Sequence, residues 1–189
     1  MIFIDLDGVL ADFYKAFSAI IARKYPGVPV LSHAQVRGWN DGLTPKQIDY
    51  GWRTVENSLT FWRGLEPLAP LSVFRRLAAA HKDVPVLFVT SREIGGDAAW
   101  GQSILWLEKM GIKEPLVIRH VGRGRKGELV PIWNPIDMAI EDDPRQALAY
   151  ARAGVEVALM DWPYTEGTIH PNIHRCNIIE ALSLAGVPE

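Results

Sequence analysis

The chain has 189 residues, 48% of them hydrophobic, and a net charge of −2 at pH 7; it can bury one sizeable core with an insertion, and it offers no broad basic face for duplex nucleic acid. Its single cysteine, Cys176, excludes an internal disulfide and fits a reducing compartment. No apolar stretch is long enough for a bilayer, and the first apolar run starts at Met1 with no leader ahead of it, so a cytoplasmic protein is expected.

Met1 to Ile4 read as a buried parallel strand, ended by Asp5, Leu6, Asp7 and Gly8. Residues 12–25 carry apolar positions at helical spacing, stopped by Pro26 and Gly27. Further on, Thr44 reads as an N-cap, with Pro45 at the first helical position and Gln47 completing a capping box, for a helix to about Glu56. Trp39, Trp52, Phe61 and Trp62 fall in this stretch, which has no convincing strand. It reads as a small, mostly helical cap inserted after the first strand, residues 15–66, within a core of residues 1–14 and 67–189. From Pro70 the pattern alternates: helix 70–81, strand 84–89, helix 97–110, strand 116–121, strand 136–140, helix 144–153, strand 155–160 and a last helix 176–185. Alternation of this kind predicts an α/β fold, a Rossmann-like doubly wound parallel sheet.

Four of these apolar runs end in reactive side chains. In an open α/β sheet, ligands bind beyond the carboxyl ends of the strands. Asp5 and Asp7 would lie there, Leu6 pointing the other way, and two acids so placed are costly to hold unless a cation sits between them. The second run ends in Thr90, Ser91 and Arg92. The third leads into GRGRKGEL, which carries Lys126, and the fourth into Glu141, Asp142, Asp143 and Pro144. Gly122, Gly124 and Gly127 also spell a dinucleotide fingerprint, but Pro131 and Pro135 deny it the long helix it needs. His170 and His174 bracket Pro171 and have no second cysteine beside them, which argues against zinc.

From Ile2 to about Tyr164 this order of motifs resembles the haloacid dehalogenase superfamily of phosphohydrolases. The resemblance implies Asp5 as nucleophile, forming an aspartyl-phosphate, and as a ligand of Mg²⁺ together with Asp142. It implies Asp7 binding the metal through its carbonyl while its side chain, left free, protonates the leaving oxygen and later activates water. Thr90, Ser91 and Lys126 fall to the phosphoryl oxygens; Thr90 alone would equally read as an ordinary buried threonine. Lys126 is preferred over Arg119, Arg123 and Arg125 because the following glycine resembles the lysine-glycine turn of related nucleotidases. Glu141 is expected to act through a coordinated water. Asp143 is expected to hold its loop, paired with Arg145, and Arg92 to pair with an acid or contact phosphate.

Three stretches bear on the substrate. SLTFWRGLEPLAPL and the VTSR strand end resemble 5'(3')-deoxyribonucleotidases. VALMDWPYTEG resembles the loop after the last strand in related bacterial and phage nucleotidases, with Thr165 where asparagine is usual. Phe61 and Trp62 offer flat faces for a base, a contact worth ~1–3 kcal/mol, although the pair would also serve as a core anchor; Phe13 and Phe17 could line the same pocket. The reading is a Mg²⁺-dependent phosphomonoesterase acting on (deoxy)nucleoside monophosphates, its partner a small phosphate ester rather than a membrane or a nucleic acid. Rival readings are a phosphatase for a small phosphorylated metabolite, a 3'-phosphatase on nucleic-acid ends, and a non-catalytic binding protein on this fold.

Overall fold

The computed structural model describes residues 1–38, 41–80, 84–92, 96–120 and 125–188. Trp39, Val121, Gly122, Arg123 and Gly124 therefore lie outside the described residues.

Six strands form one parallel sheet: β1 (Ile2–Ile4), β2 (Val86–Thr90), β3 (Leu116–Arg119), β4 (Met138–Glu141), β5 (Glu156–Met160) and β6 (Ile173–Cys176), in the order β3-β2-β1-β4-β5-β6. The helices are α1 (Phe13–Lys24), α2 (Pro45–Glu56), α3 (Leu71–Ala80), α4 (Gly96–Lys109), α5 (Pro144–Arg152) and α6 (Ile178–Leu184). The order reverses between β1 and β4, so a crevice opens at their carboxyl ends. Ile4 pairs with Phe88 on one side and Ile140 on the other, which brings Asp5 beside Glu141.

The central strands are apolar throughout because both faces are covered. Ile2, Ile4, Val86, Phe88, Met138, Ile140, Ala158 and Met160 face a core shared with α1, α3, α4 and α6. Phe3, Leu87, Val89, Ala139, Val157 and Leu159 face the other, filled by Ala147, Tyr150 and Ala151 of α5 and by Leu129. The period-2 alternation of each strand thus sorts its side chains between two layers.

β6 departs from the expected pattern, which ran from β5 straight to a helix starting at Cys176. Ile-His-Arg-Cys has too little apolar content to read as a strand; among the described residues it pairs only on its β5 side, and it exposes His174 and Arg175. Elsewhere the expected elements appear, displaced by one or two residues. Capping explains the boundaries: Asp12 accepts from Lys15 N at 3.2 Å, and Asp143 from Arg145 N at 2.9 Å ahead of Pro144. At α2 the Gln47 amide oxygen accepts from Thr44 N at 2.7 Å.

Between β1 and α3 the described residues hold α1, α2, two short 3-10 turns (His33–Gln35 and Trp62–Gly64) and no strand. The two ends of this segment are stitched together: Leu68 N donates to Leu10 O at 2.7 Å and Asp12 N to Glu66 O at 2.9 Å. Its apolar residues Phe17, Ile21, Val55 and Trp62 share the core of the sheet's α1 face. No helix among the described residues is long and apolar enough to cross a membrane.

Gly51 allows α2 to lie against α1. A Cβ there would stand 2.7 Å from Cζ of Phe17 and 3.1 Å from Cδ1 of Ile21. Gly51→Leu is expected to destabilise the protein by ~1–3 kcal/mol through overpacking, read as a lower urea midpoint; a variant as stable as the parent would contradict this α1–α2 contact.

Candidate active site

Gly8 turns the chain after β1 at φ 78°, and a Cβ there would stand 2.1 Å from Oδ2 of Asp142. Only a residue without a side chain lets the loops after β1 and β4 approach this closely. Behind them, Gly127 seats the 3-10 turn Lys126–Leu129 on α5, where a Cβ would meet Ala149 O at 2.6 Å. That seating aims Lys126 inward, its backbone N–H donating to Gln146 Oε1 at 2.9 Å.

The Lys126 ammonium is buried, 2% exposed, and donates to Asp5 Oδ1 at 2.8 Å and to Glu141 Oε1 at 2.5 Å. Burial alone would lower its pKa; the Asp5 and Glu141 carboxylates outweigh burial and raise it. Burial pushes Asp5 up against the pull of Lys126, Glu141 up to about 8, and Asp142 well above the carboxylate range, where Asp5 and Glu141 add repulsion. Asp5, Glu141 and Asp142 each offer an oxygen, all within 4.8 Å of one another. One ammonium among three carboxylates leaves negative charge uncompensated, and hard oxygen donors in that state suit a divalent cation.

Beside this cluster both oxygens of Asp7 accept from Arg92, Nε at 2.9 Å and a terminal nitrogen at 2.7 Å. Arg92 also donates to Ser103 Oγ at 2.8 Å and lies 4.6 Å over the Trp62 ring. The Asp7 side chain, which the resemblance leaves free of the metal, is paired with the Arg92 guanidinium. Arg145 donates to both oxygens of Asp143, at 3.1 and 2.9 Å, the pairing expected from sequence. Glu141 accepts from Lys126 directly, a contact the sequence reading did not include. Thr90 Oγ1 and Ser91 Oγ are buried without a hydrogen-bond partner among the described residues, which suits donors waiting for an anion.

A cavity of about 480 Å³ opens over these groups, lined by Asp5, Asp7, Ser91, Lys126, Glu141 and Asp142 on its polar side and by Phe13, Tyr14, Trp52, Trp62 and Tyr164 on its aromatic side. Phe13 is stacked against Trp62 (centroids 5.6 Å, 16°) and Trp52 (5.5 Å, 23°). Of the four aromatics expected in the pocket, Phe13 and Trp62 line it, while Phe17 and Phe61 pack behind them. Thr90 stands behind Ser91, outside the lining. His174 pairs with Glu156 at 2.8 Å, away from the acidic cluster.

Sequence reasoning missed His33 and gave Tyr164 no role. His33 Nε2 accepts from Tyr14 N–H at 3.4 Å, so the ring's proton sits on Nδ1, 2.9 Å from the Tyr164 hydroxyl, which donates to Asp142 Oδ2 at 2.7 Å. Tyr164 lay inside the quoted DWPYTEG stretch and could have been found there; a solitary histidine in a loop carries no signal.

The model of the family described as "5' nucleotidase, deoxy (Pyrimidine), cytosolic type C protein" matches residues 1–165. No curated protein sequence matches the chain. Among solved structures, a haloacid dehalogenase family hydrolase from Deinococcus radiodurans with bound phosphate and sodium superposes with TM-score 0.61 at 15% identity, covering 98% of this chain and 95% of that one. A hydrolase from Pseudomonas syringae gives 0.58 at 16%, covering 100% and 99%. Protein Tyrosine Kinase A of Mycobacterium tuberculosis gives 0.62 at 16%, covering 98% and 97%. At these identities the likeness is one of fold.

Burial lowers the His33 pKa from 6.5 to about 4. The unfolded chain therefore binds a proton that the folded chain refuses between those values, so stability is full above about pH 6.5 and falls as pH drops toward 4, by up to about 3 kcal/mol. Urea denaturation of metal-free protein is expected to show the stability difference between wild type and His33→Gln shrinking by about that amount from pH 7 to pH 4. A constant difference would mean that His33 takes up its proton in the folded state.

Proposed function

Because the chain belongs to the 5'-nucleotidase, deoxy (pyrimidine), cytosolic type C family and is a phosphatase of the haloacid dehalogenase superfamily, we propose that it is a Mg²⁺-dependent phosphomonoesterase acting on deoxynucleoside monophosphates. The observation that carries this reading is the buried Lys126 bridging Asp5 and Glu141 on the floor of an aromatic-walled cavity. Residues 15–66 act as a helical cap on a core of residues 1–14 and 67–189, and the stitched ends of the segment support that division. A cytoplasmic location belongs to the same reading.

Asp5 attacks phosphorus as a carboxylate, the ester P–O bond breaks, and an aspartyl-phosphate forms. Lys126 stabilises the charge that develops on the phosphoryl oxygens, and Ser91, on the cavity lining, supplies a hydroxyl donor that has no other partner among the described residues. Asp7, once parted from Arg92 and protonated from solvent, delivers that proton to the leaving oxygen, and the carboxylate so formed removes one from the water that cleaves the aspartyl-phosphate. Arg92, once released, is a second cation within reach of the phosphate. Asp5, Asp142 and the Asp7 carbonyl, with Glu141 beside them, would hold Mg²⁺, which would supply Lewis-acid polarisation and offset negative charge. The sugar and base then lie against Phe13, Trp52 and Trp62. A ribose 2'-hydroxyl facing that apolar wall would be desolvated without a partner, which favours the deoxy sugar.

Phosphate release from deoxynucleoside monophosphates is expected to need Mg²⁺, to stop on chelation and return on re-addition. Asp5→Asn is expected to lose at least ~10³-fold in kcat while staying folded. Turnover that survives exhaustive chelation, or an Asp5→Asn enzyme near wild-type rate, would overturn the mechanism.

Trp62→Ala separates substrate from scaffold. Losing a stacked base is expected to lower kcat/KM for deoxynucleotides by about tenfold, with a much smaller effect on p-nitrophenyl phosphate. Equal losses on both would make Trp62 a structural support for Arg92 and Phe13. Brisk hydrolysis of sugar phosphates without nucleotide turnover would transfer the reading to a metabolite phosphatase.

A further inference from the structure

Among the described residues, each of the neighbouring acids except one is paired with a cation. Lys126 serves Asp5 and Glu141, Arg92 serves Asp7, and Arg145 serves Asp143. Asp142 has instead the neutral hydroxyl of Tyr164, backed by the His33 ring. Asp5 and Glu141 both repel it, so an unrestrained Asp142 carboxylate would rotate away from them toward solvent.

We propose that Tyr164 and His33 are positioning residues that hold the Asp142 carboxylate turned toward Asp5 and Glu141, and so set the affinity of the cluster for Mg²⁺. The inference rests on the reading of Asp142 as a metal ligand given above. Both donors are themselves fixed. The His33 ring is 2% exposed, and Tyr14 N–H dictates its tautomer. The Tyr164 loop is closed by Thr165, fully buried, whose Oγ1 lies 2.9 Å from Met160 O and 2.8 Å from Trp162 O. In the same loop Trp162 Nε1 donates to Gly8 O at 2.6 Å. One loop after β5 therefore grips the backbone of the β1 loop with its indole and the carboxylate of the β4 loop with its phenol. Gly8, with no side chain, closes the other flank of Asp142 at contact distance. Hydrogen bonding of a ligating carboxylate by an outer partner typically governs metal affinity by ~10–100-fold.

The test is titration of Mg²⁺ alone into purified protein by calorimetry. Tyr164→Phe keeps the ring and removes the hydroxyl; Mg²⁺ is expected to bind about tenfold more weakly, with the circular dichroism spectrum and metal-free melting temperature retained. The Mg²⁺ concentration giving half-maximal turnover is expected to rise by the same factor, the deficit being recovered as Mg²⁺ is raised. His33→Leu, which lacks a donor, is expected to weaken Mg²⁺ binding, and His33→Gln, which keeps one, to restore most of it. His33→Leu combined with Tyr164→Phe is expected to bind no more weakly than Tyr164→Phe alone, because His33 acts through the hydroxyl. Wild-type Mg²⁺ affinity in Tyr164→Phe alongside weakened binding in Asp142→Asn would overturn the positioning role and leave the metal site standing. Wild-type affinity in Asp142→Asn as well would overturn both. If His33→Leu does not fold, the isosteric Tyr164→Phe decides alone.

Discussion

Lys126 places one positive charge between Asp5 and Glu141 at a point that solvent scarcely reaches. Two carboxylates so close cannot both remain ionised there without it; unit charges 4 Å apart repel by roughly 4 kcal/mol even at an effective dielectric constant of 20. Removing the ammonium would leave buried charge unpaired, a loss of ~3–5 kcal/mol. Its position depends on most of the fold. The parallel register sets Asp5 beside Glu141, α5 supplies Gln146 to hold the lysine backbone, and Gly127 permits the close seat on Ala149. The two cores on either face of the sheet keep these elements from shifting relative to one another.

The charge left over at this point gives the site its chemistry. Three carboxylates against one ammonium is a poor resting arrangement for a folded interior and a good one for a divalent cation and a phosphate dianion arriving together. Under the proposed mechanism the phosphate would bring negative charge to Lys126 and the cation positive charge to Asp142, so that each would make the other's binding less costly. The raised carboxyl pKa values express the same imbalance: burial and mutual repulsion disfavour the charged forms of Asp5, Glu141 and Asp142.

What could be read from the sequence was whatever the backbone itself places. Asp5, Thr90 and Glu141 stand at or just beyond strand ends, and strand ends are visible as the points where apolar runs stop. Lys126 followed from its glycine, and the structure supplies the reason in the Ala149 contact. The capping box at Thr44 and the pairing of Asp143 with Arg145 were equally local and equally legible. Illegible were partners that meet only through tertiary packing. Arg92 and Asp7 are 85 positions apart, and His33 and Tyr164 are 131 apart. No periodicity joins such pairs. The aromatic wall failed for a related reason: an Phe-Trp pair in sequence cannot say which ring faces inward, and here Trp62 lines the cavity while Phe61 meets Phe13 edge-on behind it. β6 was lost because an edge strand of four residues, half of them polar and exposed, has no pattern to show.

The first turn of α1 joins the two halves of the site. Asp12 caps the helix, Phe13 stacks between Trp52 and Trp62, and the next residue, Tyr14, gives its backbone N–H to His33. Consecutive residues on a helix point about 100° apart, so one turn can serve an aromatic wall and a polar chain without either crossing the other. A base pressed against Phe13 would bear on the same turn that fixes the His33 tautomer, and through Tyr164 on Asp142. The cavity wall and the acidic cluster are therefore mechanically continuous over two residues of backbone. A movement of the first turn of α1 that reshapes the aromatic wall would carry with it Tyr14 N–H, the donor to His33.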